Sequence, residues 1–336
     1  MGPDHQGIRD RDAMTRRVAK LLAIAALVLG APYLAAAQVW PTKPVTIVAP
    51  FQAGGGVDLL ARRIGAELQE KLGQPFVIDN RAGANGNIGA AYVAKAEPDG
   101  NTLLIATPGI AVQNKMVYKT MPYDADRDFT PIVLIAKAPL LVLINPKLPI
   151  RTMAELVAYA KANPGKLNFG SSGVGSQGHI TLELIKKMSS TEMTHVPYRT
   201  SAQGNTDIIS GQIEGGINYV TVATGPVKEG LMRALAITSK IRSSDLPDVP
   251  TLEEAGFPGF ESTGWYAVFA PRGAPADVVG KINAVVNAYI ATDKGVAQLR
   301  DLGMQAAGGT PADLIAWIKS ENERWGPIIK AAGITM

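Results

Sequence analysis

The sequence predicts a two-domain α/β protein with parallel-rich sheets and a hinge made of two chain crossings, on three observations. Short β-branched runs alternate with helical patterns from Pro44 onward. Three glycine-rich segments each join a strand-like run to a helix-like run. Two nearly continuous apolar stretches, 131–144 and 263–270, bracket the middle of the chain. Strand–helix alternation builds parallel sheets, because parallel neighbours need a crossover connection.

Val45–Ala49 reads as the first strand. Leu59, Leu60, Ile64, Leu68 and Leu72 then recur at helical spacing up to Gly73, with Glu67 and Lys71 as an i,i+4 pair. Strands over 76–78 and 102–106 flank a second helix over 88–95, closed by the turn 97–100. The 131–144 stretch, with Pro139 inside it, reads as a buried strand leaving one domain for the other. Beyond it come helix 153–161, strand 166–170, helix 176–188, strand 193–196, helix 201–209 and strands 212–217 and 233–238. The 263–270 stretch brings the chain back, and helices over 275–292 and 311–332 are expected to pack on the first domain. Domain 1 is thus expected over 38–138 and 266–336, and domain 2 over 139–265. A cleft between two such domains can enclose a ligand.

The N-terminus is not part of that fold. Thr15 to Lys20 is a basic segment, Leu21 to Leu29 is apolar, and Ala35 to Ala37 are the small residues of a cleavage site. Residues 1–37 are therefore expected to be an export signal cleaved after Ala37, with Met14 as an alternative start to Met1. No later segment offers the roughly 20 apolar residues of a membrane span. Export from the cytoplasm then places a protein that does not itself span the membrane in the periplasm. Removing Arg9, Arg11, Arg16, Arg17 and Lys20 with Asp4, Asp10 and Asp12 leaves 28 basic and 26 acidic residues. A net charge of +2, scattered along the chain, excludes a nucleic-acid footprint. The absence of cysteine excludes disulfides, thiolate metal sites and a lipoprotein anchor. With 46% hydrophobic residues the mature chain can fill two cores.

The glycine-rich segments are the candidate binding residues. A helix N-terminus leaves backbone N–H groups unpaired and carries about half a positive charge, so it can hold an anion without a cationic side chain. The first segment runs Phe51, Gln52, Ala53, Gly54, Gly55, with Asp58 expected to orient the loop or a water, since it would repel an anion. The second is Ala84, Asn85, Gly86, with Thr107 and Pro108 closing the next strand beside it. The third is Ser171, Ser172, Gly173, Gly175, Ser176, with His179 in the helix behind it.

Chemistry-bearing alternatives fare less well. There is no Gly-Lys-Ser/Thr, so the second segment is no nucleotide phosphate loop. Gly173 to Gly178 spells G-x-G-x-x-G, but the strand that follows, 193–198, ends without the acidic residue a dinucleotide site requires. Val174 stands where the G-x-S-x-G hydrolase elbow requires glycine. A secreted hydrolase using Ser172 or Ser176 is kept as a rival reading. His179 and His195 have no Asp or Glu at metal spacing and read as packed or capping histidines, so neither metal nor cofactor is expected. Arg199, after Pro197 and Tyr198, could pair with a carboxylate in bidentate fashion. Nothing in the residues implies an oligomer.

Taken together, several motifs resemble one known family over the whole mature chain. They are Trp40-Pro-Thr-Lys-Pro-Val45, the Pro50–Arg62 segment, Asn80-Arg with Gly83, Gly86 and Gly89, Pro98-Asp-Gly100, Gly170-Ser-Ser-Gly with Ser176 and His179, His195-Val-Pro-Tyr-Arg199, Arg233-Ala-Leu-Ala236 and Pro250-Thr-Leu with Glu254. This set is similar to the Bug-type solute-binding receptors of tripartite tricarboxylate transporters. The resemblance implies a type II, Venus-flytrap, periplasmic-binding-protein-like fold. It also implies a non-enzymatic receptor that closes on a small carboxylate and delivers it to membrane transporter subunits; a receptor reporting to a sensor is the alternative. The implied site is Phe51 to Gly55 with Asp58, Ala84 to Gly86, and a second-domain wall of Ser171 to Ser176, His179, Tyr198 and Arg199. Two departures from the family pattern, Gln52-Ala53 in the first loop and Glu214 with Asn218 in the segment 212–218, leave the identity of the carboxylate open among di- and tricarboxylates, acidic amino acids and aromatic acids.

Overall fold

A computed structural model describes residues 40–335, so the expected export signal and its expected cleavage position lie outside the described residues. β1 (Val45–Ala49) pairs in parallel with β2 (Phe76–Asn80) on one side and β3 (Thr102–Ala106) on the other. Apart from Thr46 and Thr102, β1 and β3 are apolar because helices cover the sheet. α1 (Gly56–Leu72) turns Leu60, Ile64 and Leu68 inward and ends at Gly73, whose φ of +77° closes the helix with a bond from its N–H to Gln69 O. α2 (Asn87–Ala94) returns the chain to β3.

A single long strand organises the rest. β4 (Phe129–Ile144) pairs antiparallel with β9 (Thr263–Pro271) from Phe129↔Pro271 to Pro139↔Thr263. One residue later it changes partner, pairing with β7 (Gly215–Tyr219) from Leu140↔Tyr219 to Ile144↔Gly215. Beyond Leu140 the side chains alternate between two cores: Leu140, Val142 and Ile144 pack with Phe169 and Phe260, Leu141 and Leu143 with Ile208 and Ile237. An unbroken apolar run is what a strand buried on both faces requires.

The order across the sheet is β2-β1-β3-β9-β4-β7-β5-β6, where β5 (Asn168–Ser171) is parallel to both β6 (Thr194–Pro197) and β7. β8 (Arg233–Ile237) lies on β4 beside this path. We call the β1–β3 and β9 side the first lobe and the β5–β8 side the second. The short helix α3 (Asn114–Val117) follows β3. α4 (Met153–Ala162), α5 (Gln177–Ser189), α6 (Ser201–Ser210) and α7 (Val220–Lys228) belong to the second lobe. α8 (Ala276–Ile290), α9 (Asp293–Asp301), the two-residue β10 (Gln305–Ala306) and α10 (Pro311–Ala331) follow the return crossing. The first-lobe core gathers around Trp265, Phe269 and Trp325. Both indoles donate to Glu321 Oε2, at 3.1 and 3.0 Å, which pairs a carboxyl group that is only 2% exposed.

The alternation, both apolar crossings and the terminal helices lie where the sequence places them, with shifted ends. The strand expected over 212–217 starts at Gly215, because the N–H groups of Gln212 and Ile213 both turn back to Asp207 O at the end of α6. α7 was not anticipated. Its valines, threonines and Pro226 are poor helix formers, and Val220 and Ala223 make it a helix by packing under β4. α3 and α9 also escaped the sequence pattern.

Gly178 tests the fit of α5 onto the second lobe, since an added Cβ would lie 2.5 Å from Ile217 O and 3.1 Å from Ser171 Cβ. Gly178→Ala is expected to cost about 1–3 kcal/mol through overpacking, read as a lower urea midpoint with an unchanged slope.

Candidate functional site

Each predicted binding segment begins where a parallel strand stops, the place where open α/β sheets hold ligands. Phe51 to Gly55 follow β1, Ala84–Gly86 follow β2, Thr107 and Pro108 follow β3, and Ser171 ends β5.

The first loop is tied down by one carboxylate. Gly54 takes φ +80°, and its N–H donates to Asp58 Oδ2 at 2.9 Å. Arg62 Nε donates to the same oxygen at 3.0 Å. Asp58 is 2% exposed, and the Arg62 bond, helped by Gly54, holds its carboxyl below the usual range despite burial. Asp58 therefore ties the loop to α1 through its bonds with Gly54 and Arg62. Asn80 Nδ2 fixes the other end by donating to Phe51 O at 3.2 Å. Gln52 to Gly56 are exposed, and no side chain caps the N-terminus of α1.

The second loop is strained. Four consecutive residues have positive φ: +133° at Gly83, +48° at Ala84, +52° at Asn85 and +88° at Gly86. A non-glycine residue in the left-handed region costs roughly 1–2 kcal/mol, so Ala84 and Asn85 need external support. Asn114 provides it. It accepts from Asn85 Nδ2 at 2.8 Å and donates to Asn85 O at 3.1 Å and to Asn87 Oδ1 at 2.6 Å. The Tyr123 hydroxyl donates to Asn87 Oδ1 at 2.9 Å. Asn87, Asn114 and Tyr123 are buried, and sequence reasoning missed all three. The signal available was two amide residues, Gln113 and Asn114, inside an apolar run.

These loops share one floor. An added Cβ at Gly86 would lie 2.8 Å from Ile110 Cδ1 and 3.4 Å from Phe51 Cζ, and one at Gly109 would lie 3.2 Å from Asn85 Nδ2 and 3.5 Å from Thr107 Oγ1. Pro108 opens the π-helical turn Gly109–Gln113.

In the second lobe the Ser171–Ser176 loop rests on two histidines. Ser171 Oγ lies 2.6 Å from His195 Nε2, and Ser176 Oγ donates to Ser171 Oγ at 3.1 Å. The His195 ring stacks on His179 with centroids 3.7 Å apart and planes 7° from parallel. His179 Nδ1 accepts the Gly175 N–H at 3.1 Å, while Ser176 caps α5 by accepting from His179 N. Gly173 (φ +118°), Gly175 (φ +71°) and Gly178 explain the G-x-G-x-x-G spelling. Two glycines shape the turn and the third admits the helix against β7. The loop reaches the first lobe: an added Cβ at Gly175 would lie 3.1 Å from Val117, and Val174 packs against the first-lobe core.

Tyr198 turns its hydroxyl to Asp207 Oδ2 at 2.6 Å and its ring toward Gly170 and Gly204; burial and that carboxylate push the phenol up to about 12. Ser172 is half-buried, and Arg199 is exposed beyond the end of β6. Asn218, 1% exposed, donates to Asn205 Oδ1 at 2.7 Å and leaves its own Oδ1 without a hydrogen-bond partner. Glu214 receives the N–H and side-chain amide of Asn168 at 2.8 and 3.0 Å. Ser176 is engaged as a helix cap, and the carboxylate nearest the histidine pair, Glu183, lies 4.0 Å from His179, not beside His195. Among the described residues no three His, Cys, Asp or Glu side chains converge as metal ligands, and no helix is long and apolar enough to cross a membrane.

Comparison with known proteins agrees with the motifs. Residues 60–334 match the model of the tripartite tricarboxylate transporter family receptor. Protein BugT of Bordetella pertussis is 32% identical over 94% of this chain and 98% of its own length. The structure of Rpa4515 from R. palustris with adipate superposes with a TM-score of 0.80 at 43% identity, over 88% of this chain and all of that one. MatC from Rhodopseudomonas palustris with bound malate gives 0.75 at 32% identity, over 86% of this chain and all of that one.

The histidine pair predicts a pH dependence. Burial, then the facing His179, pushes His195 down to about 3, and burial lowers His179 as well, with Lys186 adding to both and Glu183 opposing at His179. The folded state thus binds fewer protons than the unfolded one below pH ~6.5. Stability is full above that value and falls as pH drops toward 3, by at most about 1.4 kcal/mol per unit for one histidine. Urea midpoints at pH 7.5 and 5 should show this loss, and His195→Gln should flatten it.

Proposed function

The chain belongs to the tripartite tricarboxylate transporter receptor family, and from that premise we propose that it captures a small carboxylate between its lobes and hands it to a membrane permease. The hinge is the pair of crossings in β4 and β9, which divides the chain into domain 1 (38–138 and 266–336) and domain 2 (139–265). Export after Ala37 puts the receptor in the periplasm, where relatives of this family work.

One contrast supports the site most directly. Helices α4, α5, α6, α9 and α10 have their first turns capped by Thr152, Ser176, Thr200, Thr292 and Thr310. α3, α7 and α8 also lack a side-chain cap, but α1 and α2, which follow the converging loops, begin at glycines, Gly55 and Gly86. In α1 and α2 no side chain competes for the first-turn amides, and the glycines let an anion approach the backbone. The backbone from Ala84 to Gly86 and from Gly54 to Gly56 faces one carboxylate, with the Gly54, Gly55 and Gly86 N–H groups already bonded to Asp58, Gln52 O and Gly83 O; Ser171 to Ser176, with Arg199 and Asn218 at the margins, face it from the other lobe. Adipate and malate in two relatives fit a site of this kind. Ligand drives closure only through contacts that are stronger in the closed state.

The test is a thermal-shift screen of the processed protein against mono-, di- and tricarboxylates, aromatic acids and acidic amino acids, with sugars as controls. A ligand at ~100 times its dissociation constant should add about 2.7 kcal/mol of stability. A shift confined to one carboxylate class is expected, with the ligand recovered unchanged. A response to sugars alone would defeat the reading, and conversion of the ligand would favour the hydrolase rival using Ser172 or Ser176.

A further inference from the structure

Two buried glutamines meet across the lobes. Gln113 closes the π-helical turn behind Thr107 and Pro108 in the first lobe, and Gln177 is the first residue of α5 in the second. They are 2% and 4% exposed, and Gln113 Nε2 donates to Gln177 Oε1 at 2.6 Å. Gln177 Nε2 donates in turn to Ser262 Oγ at 2.8 Å, and Ser262 Oγ lies 2.5 Å from Thr181 Oγ1. Ser262 immediately precedes Thr263, where the chain recrosses between lobes. A single polar chain therefore runs from the first-lobe loop, through the head of α5, to the crossing strand.

We propose that Gln113 and Gln177 form an interlobe latch that sets carboxylate affinity from outside the pocket. Both are positioning residues. The proposal rests on the reading of the crossings as a hinge. Around the pair the contact between lobes is apolar: Val174, Ile180 and Leu184 of the second lobe pack with Val117, Leu314 and Trp325 of the first. Apolar packing tolerates sliding, whereas buried amides do not, because a displaced closure leaves Gln177 Oε1 without a donor. The latch thus selects one closed register, the register in which the amides of α1 and α2 face the Ser171–Ser176 loop. Apparent affinity scales with the fraction of molecules in the competent state, so a change here reaches the ligand without touching it.

The chemistry predicts non-additivity. Gln113→Leu leaves Gln177 Oε1 buried and unpaired in the closed state, and Gln177→Leu does the same to the Gln113 amide. Each should weaken binding roughly tenfold. Replacing both partners by apolar groups of similar shape can be nearly neutral, so Gln113→Leu/Gln177→Leu should return to within about threefold of the natural protein. Ser262 keeps Thr181 as its partner throughout.

The experiment is calorimetric titration of the four proteins with adipate and with malate, with thermal unfolding of each to confirm the fold, and small-angle X-ray scattering of each without ligand. Tenfold losses in both single variants, rescue in the double variant and a larger radius of gyration in the single variants alone are expected. Unchanged affinity in the single variants, or losses that add in the double, would overturn the latch. If the natural protein binds neither acid, the carboxylate reading fails at those ligands, and scattering still decides the latch: equal radii in all four proteins would overturn it.

Discussion

The change of partner within one strand is the constraint on which the rest of the molecule depends. β4 pairs with β9 as far as Pro139 and with β7 from Leu140. As a continuous extended segment it carries one sheet from the β1–β3 and β9 side to the β5–β8 side without a break. Proline suits the switch, having no N–H to give to either ladder. The site inherits its geometry from this strand. The β1–β3 ends and the β5 end reach one region because β9 and β7 flank β4 on successive stretches of its length.

Within the site, rigidity has been placed behind the loops. The first loop depends on a buried carboxylate shared by the Gly54 N–H and Arg62. The second depends on Asn114, which holds two non-glycine residues in the left-handed region. The third depends on a stacked pair of neutral histidines that use nitrogen atoms as hydrogen-bonding partners for Gly175 and Ser171. Three unlike devices serve one end, which is to hold the backbone of each loop in place. An unsupported glycine loop would lose conformational entropy on every binding event; these loops are ordered beforehand.

What could be read in advance follows from the range of the physics. The period-2 and period-3.6 patterns, the Gly73 helix stop and the apolar crossings are local features, and they placed β1, α1, β4 and β9 correctly. The glycine segments were legible as candidates because glycine at the end of a strand is a local backbone feature. The supports were not legible: Asn114 lies 29 residues from Asn85, and Gln113 lies 64 from Gln177. No periodicity connects them. α7 escaped for the same reason, since burial of Val220 and Ala223 outweighs a sequence that disfavours a helix.

The sequence by itself determined the α/β alternation, the two long apolar strands β4 and β9, and three strand-end loops rich in glycine, because each is written in residues close together along the chain. The tertiary structure alone decided which side chains hold those loops. It pairs Ser171 with His195 and Gln113 with Gln177, and it turns the Tyr198 hydroxyl to Asp207. Hydrogen bonds require partners within about 3 Å of one another, and only the folded backbone determines which distant residues come that close.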